Sequence, residues 1–285
     1  MSTKFAITAA TGNFGQTAVK ELNKLVGTDN VVVIARNLEE GKELFPNNEI
    51  RHGDYEDLDS MNSALKGIDR VLFISSQPGG KIPRSEAQAN VVEAMKNNGV
   101  EFVAYTSFPD AQNSKTPLAE DHRNTENKIK EAGLAHSFLR NNWYLENEVV
   151  FLQSGAANNP ALYWANNHAG WALEREYAEA AAKVVASDNT QEIYEFAGPA
   201  RTYEDLGHAL QKATGNDFEI KQVSSDEYTE YLESAGSDHA TAAMFASFQA
   251  PINSGALDEN SNDLETVLGH SLIPIADAIK EFLAR

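Results

Sequence analysis

Cysteine is absent from the 285-residue chain, which excludes disulfides, thiolate metal sites, iron–sulfur clusters and a cysteine nucleophile. A chain without cysteine fits the cytoplasm, the expected location. Basic residues are scarce: 23 Lys and Arg face 42 Asp and Glu, giving a formal net charge of −19 with His neutral. So acidic a surface repels phosphate backbones and anionic lipid, which argues against nucleic-acid and membrane partners. An anionic ligand binds such a chain only where local groups override the global field. Long apolar runs are missing as well, and none approaches the roughly 18 uninterrupted apolar residues of a spanning helix. The first residues, MSTKFAITAATGNFG, show neither a secretory apolar core nor a small-residue cleavage site. The expectation is a soluble protein. The 7 histidines lack H-x-H or H-E-x-x-H spacing, so no metal site is expected. Neither a G-x-S-x-G elbow nor a Walker glycine–lysine loop occurs, and hydrolase and triphosphatase readings fall away.

What is present is a regular alternation. Short apolar or β-branched runs appear at 5–8, 31–35, 49–53, 70–75, 101–107 and 136–140, with helical spacing between them. Phe14, Ala18, Leu22 and Leu25 share one face of the first helical stretch; Ala87, Val91, Ala94 and Met95 share one face of a later one. Nearly continuous apolar strands alternating with helices predict an α/β fold with a doubly wound parallel sheet and right-handed crossovers. From about 141 helices dominate: 143–155, 174–186, 202–213, 224–235 and 274–284, with short strands at 161–165 and 193–197. Residues 1–140 read as a nucleotide-binding domain. Residues 141–285 read as a smaller, mainly substrate-side lobe with some segments returning to the main sheet. The polar stretch 251–265 reads as a surface loop.

The turn Thr8-Ala9-Ala10-Thr11-Gly12-Asn13-Phe14-Gly15 follows the first strand and opens the first helix. A helix N-terminus presents unpaired N–H groups and the positive end of its dipole, and glycine lets the backbone approach phosphate. Gly12 and Gly15 are in place, but Ala9 stands where the usual G-x-x-G-x-x-G spacing has its first glycine. Tight strand-to-helix turns also use glycine for packing alone, so placement in a βαβ unit is what favours a dinucleotide site.

The second strand ends in Arg36 and Asn37, where an NAD-binding chain usually carries an acid for the ribose 2′-OH. Arginine suits phosphate oxygens instead, which predicts NADP(H) as the cofactor; the alternative is a solvated loop arginine. Beyond the fourth strand lies Ser75-Ser76-Gln77-Pro78-Gly79-Gly80, and beyond the fifth Thr106-Ser107-Phe108-Pro109. Ligands of doubly wound sheets bind outside the carboxyl ends of the strands, so both loops are expected to line the crevice. Their hydroxyls are placed to meet the nicotinamide ribose or a substrate carbonyl, unless they serve only as turn formers.

ITAATGNFG, IARN, FISS, VAYTS, DHRNTE and LRNNWYLEN, in that order, resemble the NmrA-like branch of atypical short-chain dehydrogenases, and within it the bacterial quinone reductases. The resemblance runs through nearly the whole chain. It implies an NAD(P)-binding Rossmann fold with a small C-terminal lobe. It also implies cofactor contacts at Ala9 to Phe14, Arg36 and Ser75 to Gln77, and nicotinamide or substrate contacts at Asn141 to Glu146. Arg175 matches an arginine before the helix that closes the site. Ala9 departs from the family's glycine, and Asn142 stands where the nearest relatives have glycine, a change expected to narrow the pocket mouth.

Ordinary short-chain dehydrogenases transfer a proton with Tyr-x-x-x-Lys, yet none of the 9 tyrosines here has a lysine four residues on. His122 and Glu126 occupy that i, i+4 spacing, as an acid–base pair or as an exposed local pair. With Asn141, Trp143 and Tyr144 they form the expected catalytic set, and Phe108, Phe245 and Phe248 are further candidate walls for a flat ring. A quinone is already an electrophile and needs mainly proximity and orientation. The expectation is NADPH-dependent hydride reduction of a quinone or conjugated carbonyl, without flavin or metal. The alternative is a non-catalytic NADP(H)-sensing regulator. Monomer and homodimer both stay open.

Overall fold

The computed structural model describes residues 2–77 and 79–285; Pro78 lies outside them. In chain order the strands are β1 (Phe5–Ile7), β2 (Val31–Ala35), β3 (Glu49–His52), β4 (Arg70–Phe73), β5 (Phe102–Ser107), β6 (Ala135–Asn141), β7 (Ala161–Tyr163), β8 (Ile193–Phe196) and β9 (Ile220–Gln222). The first helices are α1 (Asn13–Val26), α2 (Leu38–Leu44), α3 (Leu58–Ala64), α4 (Arg84–Asn97), α5 (Pro117–Glu131), α6 (Val149–Ala156) and α7 (Glu174–Ala186). The later ones are α8 (Tyr203–Thr214), α9 (Ser225–Ser234), α10 (His239–Ser247), α11 (Ala250–Asn253), α12 (Asp263–Leu268) and α13 (Ile275–Leu283).

Two compact units divide the chain. The first takes the chain to Asn141, then Arg175–Phe196 and Asp263–Gly269. Its seven-stranded sheet has the order β3-β2-β1-β4-β5-β6-β8, every pair parallel. All residues of β1, β2 and β5 are buried, because helices cover both faces of the sheet and leave no side for alternation. The strand order reverses between β1 and β4, the switch point of a doubly wound fold. There Tyr55, buried, contacts Thr8 and donates to the Ile74 carbonyl at 2.7 Å, tying the two strand ends together. The face of α1 buries Phe14, Ala18 and Leu22, but Leu25 is 49% exposed, a departure from the expected stripe. It occupies the last turn, beyond which Gly27, at φ +86°, turns the chain away.

The second unit comprises Asn142–Glu174, Ala197–Asn262 and His270–Arg285. It holds α6, α8–α11 and α13, with a parallel pair β7–β9. An aromatic cluster forms part of its core: Tyr163 stacks on Tyr203 at 5.1 Å, and Phe151 and Trp171 meet Tyr203 edge-on. The expected helix over 143–155 instead begins as a 3₁₀ turn, Leu145–Glu148, that runs into α6. Residues 251–265 are not simply a surface loop. α11 and the start of α12 lie within them, and Ile252, Leu257 and Leu264 are fully buried. Isolated apolar residues anchor a polar stretch there, a pattern without helical period. No helix among the described residues is long and apolar enough to cross a membrane.

Candidate functional site

The turn after β1 separates its residues by exposure. Ala9, Gly12 and Asn13 are exposed and Thr11 half-buried, whereas Ala10, Phe14 and Gly15 are buried and hold the turn in place. Ala9 adopts φ +49°. The other non-glycine residues with positive φ among those described are Asp110 and Asn158, types that tolerate this region; alanine does not. The two glycines differ in what they serve. A Cβ on Gly15 would sit 2.6 Å from both Ala10 Cα and the Ala9 oxygen, so packing of α1 requires glycine there. A Cβ on Gly12 would come only within 3.6 Å of the Ala9 oxygen, an ordinary contact. Gly12 therefore keeps space open outside the turn. No side chain caps α1 and its first turn holds no acid. An uncapped helix end with a bare glycine before it fits a pyrophosphate.

Arg36 follows β2 and is exposed, without an ion pair among the described residues. Asn37 is committed to capping α2, accepting from the N–H groups of Glu39 (3.1 Å) and Glu40 (3.3 Å). The loop hydroxyls are largely engaged within the protein. Thr106 Oγ1 accepts from Ser75 N–H at 2.8 Å and donates to Ser75 Oγ, and Ser107 Oγ donates to Glu126 at 2.7 Å. Thr106 and Ser107 thus hold the shape of the loop, their hydroxyls bonded within the protein. Ser76 Oγ is buried with no hydrogen-bond partner among the described residues, and Gln77 is exposed.

His122 and Glu126 share α5 but join different networks. His122 is 5% exposed; its Nε2 lies 3.2 Å from an Arg84 guanidinium nitrogen and its Nδ1 3.0 Å from Tyr105 Oη. Arginine only donates, so Nε2 accepts, and Nδ1–H donates to Tyr105, whose hydroxyl passes on to Gln88 Oε1 at 2.8 Å. Burial, reinforced by Arg84, pulls the pKa of His122 well below the usual value, so the ring is neutral. Arg84 also donates to the Ser76 carbonyl at 2.6 Å, so this chain of bonds pins the Ser75–Gln77 loop to α5. Glu126 is fully buried and clamps Arg140 with two bonds of 2.9 Å, while Gln112 donates to the same carboxylate at 2.8 Å beside the bond from Ser107. Arg140 reaches on to Glu195 of β8 at 2.7 Å. The expected His122–Glu126 pairing does not form: the carboxylate is taken by a guanidinium, which binds it at two points.

At the end of β6, Asn141 is buried. In the second unit Asn142 is also buried, and its amide is spent on main chain. Its Oδ1 accepts from Trp143 N–H (3.0 Å) and Gly170 N–H (2.9 Å), and its Nδ2 donates to the Leu257 carbonyl at 3.1 Å. It braces the loops that carry Trp143, Gly170 and Leu257. Trp143 is 8% exposed and meets Phe248 edge-on at 6.3 Å; Tyr144 is half-buried and precedes the 3₁₀ turn. Glu146 accepts from Glu174 N–H at 2.8 Å, at the start of α7, and Arg175 is half-buried in the first turn of that helix.

One group escaped the sequence reading. Glu148, 5% exposed, lines a narrow recess of ≈ 10 Å³, room for about one water molecule, within the second unit. Phe151, Tyr228, Phe245 and Phe248 supply its aromatic walls. Trp171 Nε1–H (3.1 Å) and Tyr203 O–H (2.7 Å) donate to the carboxyl, and no cation pairs with it among the described residues. Burial pushes its pKa up to about 7, against the opposing pull of those donors. The signal was present in LENEVVFL: Glu148 shares a helical face with Leu145, Phe151 and Leu152, all buried.

Comparison with known proteins agrees with this arrangement. Residues 9–161 match the NAD(P)H-binding family model. Quinone oxidoreductase 2 of Escherichia coli (strain K12) is 31% identical over 278 residues, 96% of each chain. An NmrA-like family domain-containing oxidoreductase of Aspergillus flavus is 26% identical over 245 residues, 82% of this chain and 79% of the other. The structure of Citrobacter sp. triphenylmethane reductase complexed with NADP(H) superposes with a TM-score of 0.91 at 28% identity, covering 98% of this chain and 99% of that one. A parallel sheet with its switch point at β1 and β4, an uncapped α1 behind Gly12, and these similarities lead to one assignment: the chain belongs to the NAD(P)H-binding family, among its oxidoreductases.

Proposed function

We propose that this protein reduces a quinone or related conjugated carbonyl by two electrons, with NADPH as the donor. The observation that carries the cofactor choice is Arg36, an exposed guanidinium with no ion pair among the described residues, at the end of β2 on a chain of net charge −19. The similarity to quinone oxidoreductase 2 supports the acceptor class. The α1 amides and the space kept by Gly12 would hold the pyrophosphate, Arg36 the 2′-phosphate, and Ser76 and Gln77 the nicotinamide side. NADPH supplies a hydride when bound. We assign cofactor binding to the first unit and the acceptor to the second.

The chain's own residues need do little acid–base work at the carbon. A quinone carbonyl draws electrons without prior deprotonation, which is consistent with the missing Tyr-x-x-x-Lys. His122 and Glu126 act at one remove: the first, neutral and bonded to Arg84, holds the Ser75–Gln77 loop, and the second holds Arg140. Aromatic side chains would hold a flat ring by stacking and exclude water.

Steady-state oxidation of NADPH with benzoquinones and naphthoquinones tests the reading, and the expected result is one hydroquinone formed per NADPH consumed. Tight NADPH binding with no turnover above the uncatalysed rate across the panel would overturn it in favour of a nucleotide sensor. Arg36→Glu tests the cofactor choice. A hydrogen bond to a charged group contributes about 1.5–3 kcal/mol, so NADPH affinity should fall about ten- to a hundredfold while NADH affinity holds. An unchanged NADPH/NADH ratio sinks the assignment.

A further inference from the structure

Beyond β4 the main chain is fixed one group at a time. Ile74 N–H donates to Thr8 Oγ1 at 3.1 Å, Tyr55 donates to the Ile74 carbonyl at 2.7 Å, and Ser75 N–H donates to Thr106 Oγ1 at 2.8 Å. The Ser76 carbonyl then accepts from Arg84 Nε at 2.6 Å. The series stops at Gln77, whose N–H has no hydrogen-bond partner among the described residues. The buried Ser76 hydroxyl has none there either. A buried hydroxyl left without an acceptor costs its desolvation, and an arriving ligand oxygen would relieve that cost.

Arg84 sets the direction of the Gln77 amide. The peptide bonds among the described residues are trans, and a planar trans peptide sends its C=O and N–H in opposite directions. By drawing the Ser76 oxygen towards the start of α4, the guanidinium turns the Gln77 N–H away from that helix. Arg84 is itself held, with its side chain 8% exposed. Nη2 donates to His122 Nε2 at 3.2 Å and Nη1 meets Asp121 Oδ2 at 3.5 Å, both on α5. With two nitrogens of a planar fork engaged on α5, Nε has one direction left, at the loop. His122 is fixed by Tyr105, and Tyr105 by Gln88, one turn beyond Arg84 on α4, so the bonds close into a ring. The Arg84–Asp121 contact alone would join the two helices. The neutral His122 acceptor adds aim.

β2 and β4 lie on opposite sides of β1. A dinucleotide whose 2′-phosphate meets Arg36 and whose pyrophosphate meets α1 therefore carries its nicotinamide half towards the end of β4, at the switch point. Building on the NADPH reading above, we infer that the Gln77 main-chain N–H donates to an oxygen of the nicotinamide-riboside half and that Arg84 is the positioning residue that aims it. Arg84 touches neither cofactor nor acceptor in this role. It acts through the Ser76–Gln77 peptide.

Arg84→Met keeps an aliphatic stem and removes the guanidinium. Calorimetry with NADPH and with adenosine 2′,5′-bisphosphate, which lacks the nicotinamide half, reads the two ends of the site separately. The wild type should bind both. Arg84→Met should weaken NADPH about ten- to a hundredfold, the range of one hydrogen bond to a charged group, and leave the bisphosphate affinity unchanged. Arg84→Lys should recover part of the loss, since it restores the charge without the fork. His122→Leu should show the same selective loss, and His122→Gln, which keeps an acceptor, a smaller one. Arg84→Met combined with His122→Leu should lose no more than Arg84→Met alone. A merely structural arginine would lower both affinities together. If the variants do not fold, the wild-type amide resonance of Gln77 decides: it should move downfield with NADP⁺ and stay in place with the bisphosphate. Equal loss of both ligands, an unchanged NADPH affinity in Arg84→Met, or a Gln77 amide indifferent to NADP⁺ overturns the inference and leaves the cofactor reading standing. A wild type that binds neither ligand defeats that reading, and the inference with it.

Discussion

Replacing Ala9 with glycine should stabilise this protein, against the usual direction of such a change. Ala9 is held at φ +49°, where an L-residue with a Cβ is strained by about 1–2 kcal/mol and glycine is not. Glycine also widens the unfolded ensemble, which subtracts about 0.4–1 kcal/mol. Ala9 is exposed, so its methyl contributes little by burial. The balance runs from about zero to a gain of about 1.6 kcal/mol, or an increase of up to about 3 °C in Tm for a chain of this size. Urea unfolding followed by fluorescence would read it as a higher midpoint at unchanged slope. Ala9→Val is the internal control and should move the midpoint the other way, because branching at Cβ resists the left-handed region. If Ala9→Gly lowers the midpoint with the slope intact, the strain ascribed to this turn is wrong.

Two further outcomes concern buried charge. Glu148 has its pKa raised to about 7 in the folded protein from 4.5, so the native state holds its proton more tightly than the unfolded chain. Its contribution is fully present at low pH and is lost as pH rises through 7. Between about pH 5.5 and about pH 8 the wild type should lose about 2 kcal/mol that Glu148→Gln does not lose, and parallel urea profiles for the two proteins would contradict this. Arg140→Leu should cost about 3–5 kcal/mol, because it strands the fully buried Glu126. Adding Glu126→Leu should recover much of that; denaturant midpoints that simply add would deny the pair its coupling.

The sheet was legible because its strands are buried on both faces and so read as unbroken apolar runs, as in Val31–Ala35 and Phe102–Ser107. Glu174–Ala186 was equally plain from its alternation of charged and small residues. α10 and α11 were missed: one is alanine-rich with no marked stripe, the other a single turn begun by Pro251. Side-chain roles were harder. His122 and Glu126 have the spacing of a pair, yet the partners that claim them, Tyr105, Arg84 and Arg140, come from other elements and no local pattern reveals them. Asn142 read as an intrusion because its neighbours in space, Gly170 and Leu257, are distant in the chain. Glu148 alone was within reach, as an acid on an apolar face.

The discontinuous make-up of the first unit also governs how the chain is assembled. Beyond β6 the sheet is completed by β8, through Phe138 N–H to the Glu192 carbonyl at 2.8 Å, and the Asp263 carboxylate receives Glu195 N–H at 2.9 Å. A ribosome that has released residues up to Asn141 has therefore delivered a sheet with one open, apolar border. That border stays open until Ile193–Phe196 emerge, and the Glu195 N–H of the added strand waits for Asp263, so a fragment cut at the apparent domain boundary should be a sticky intermediate rather than a free-standing module.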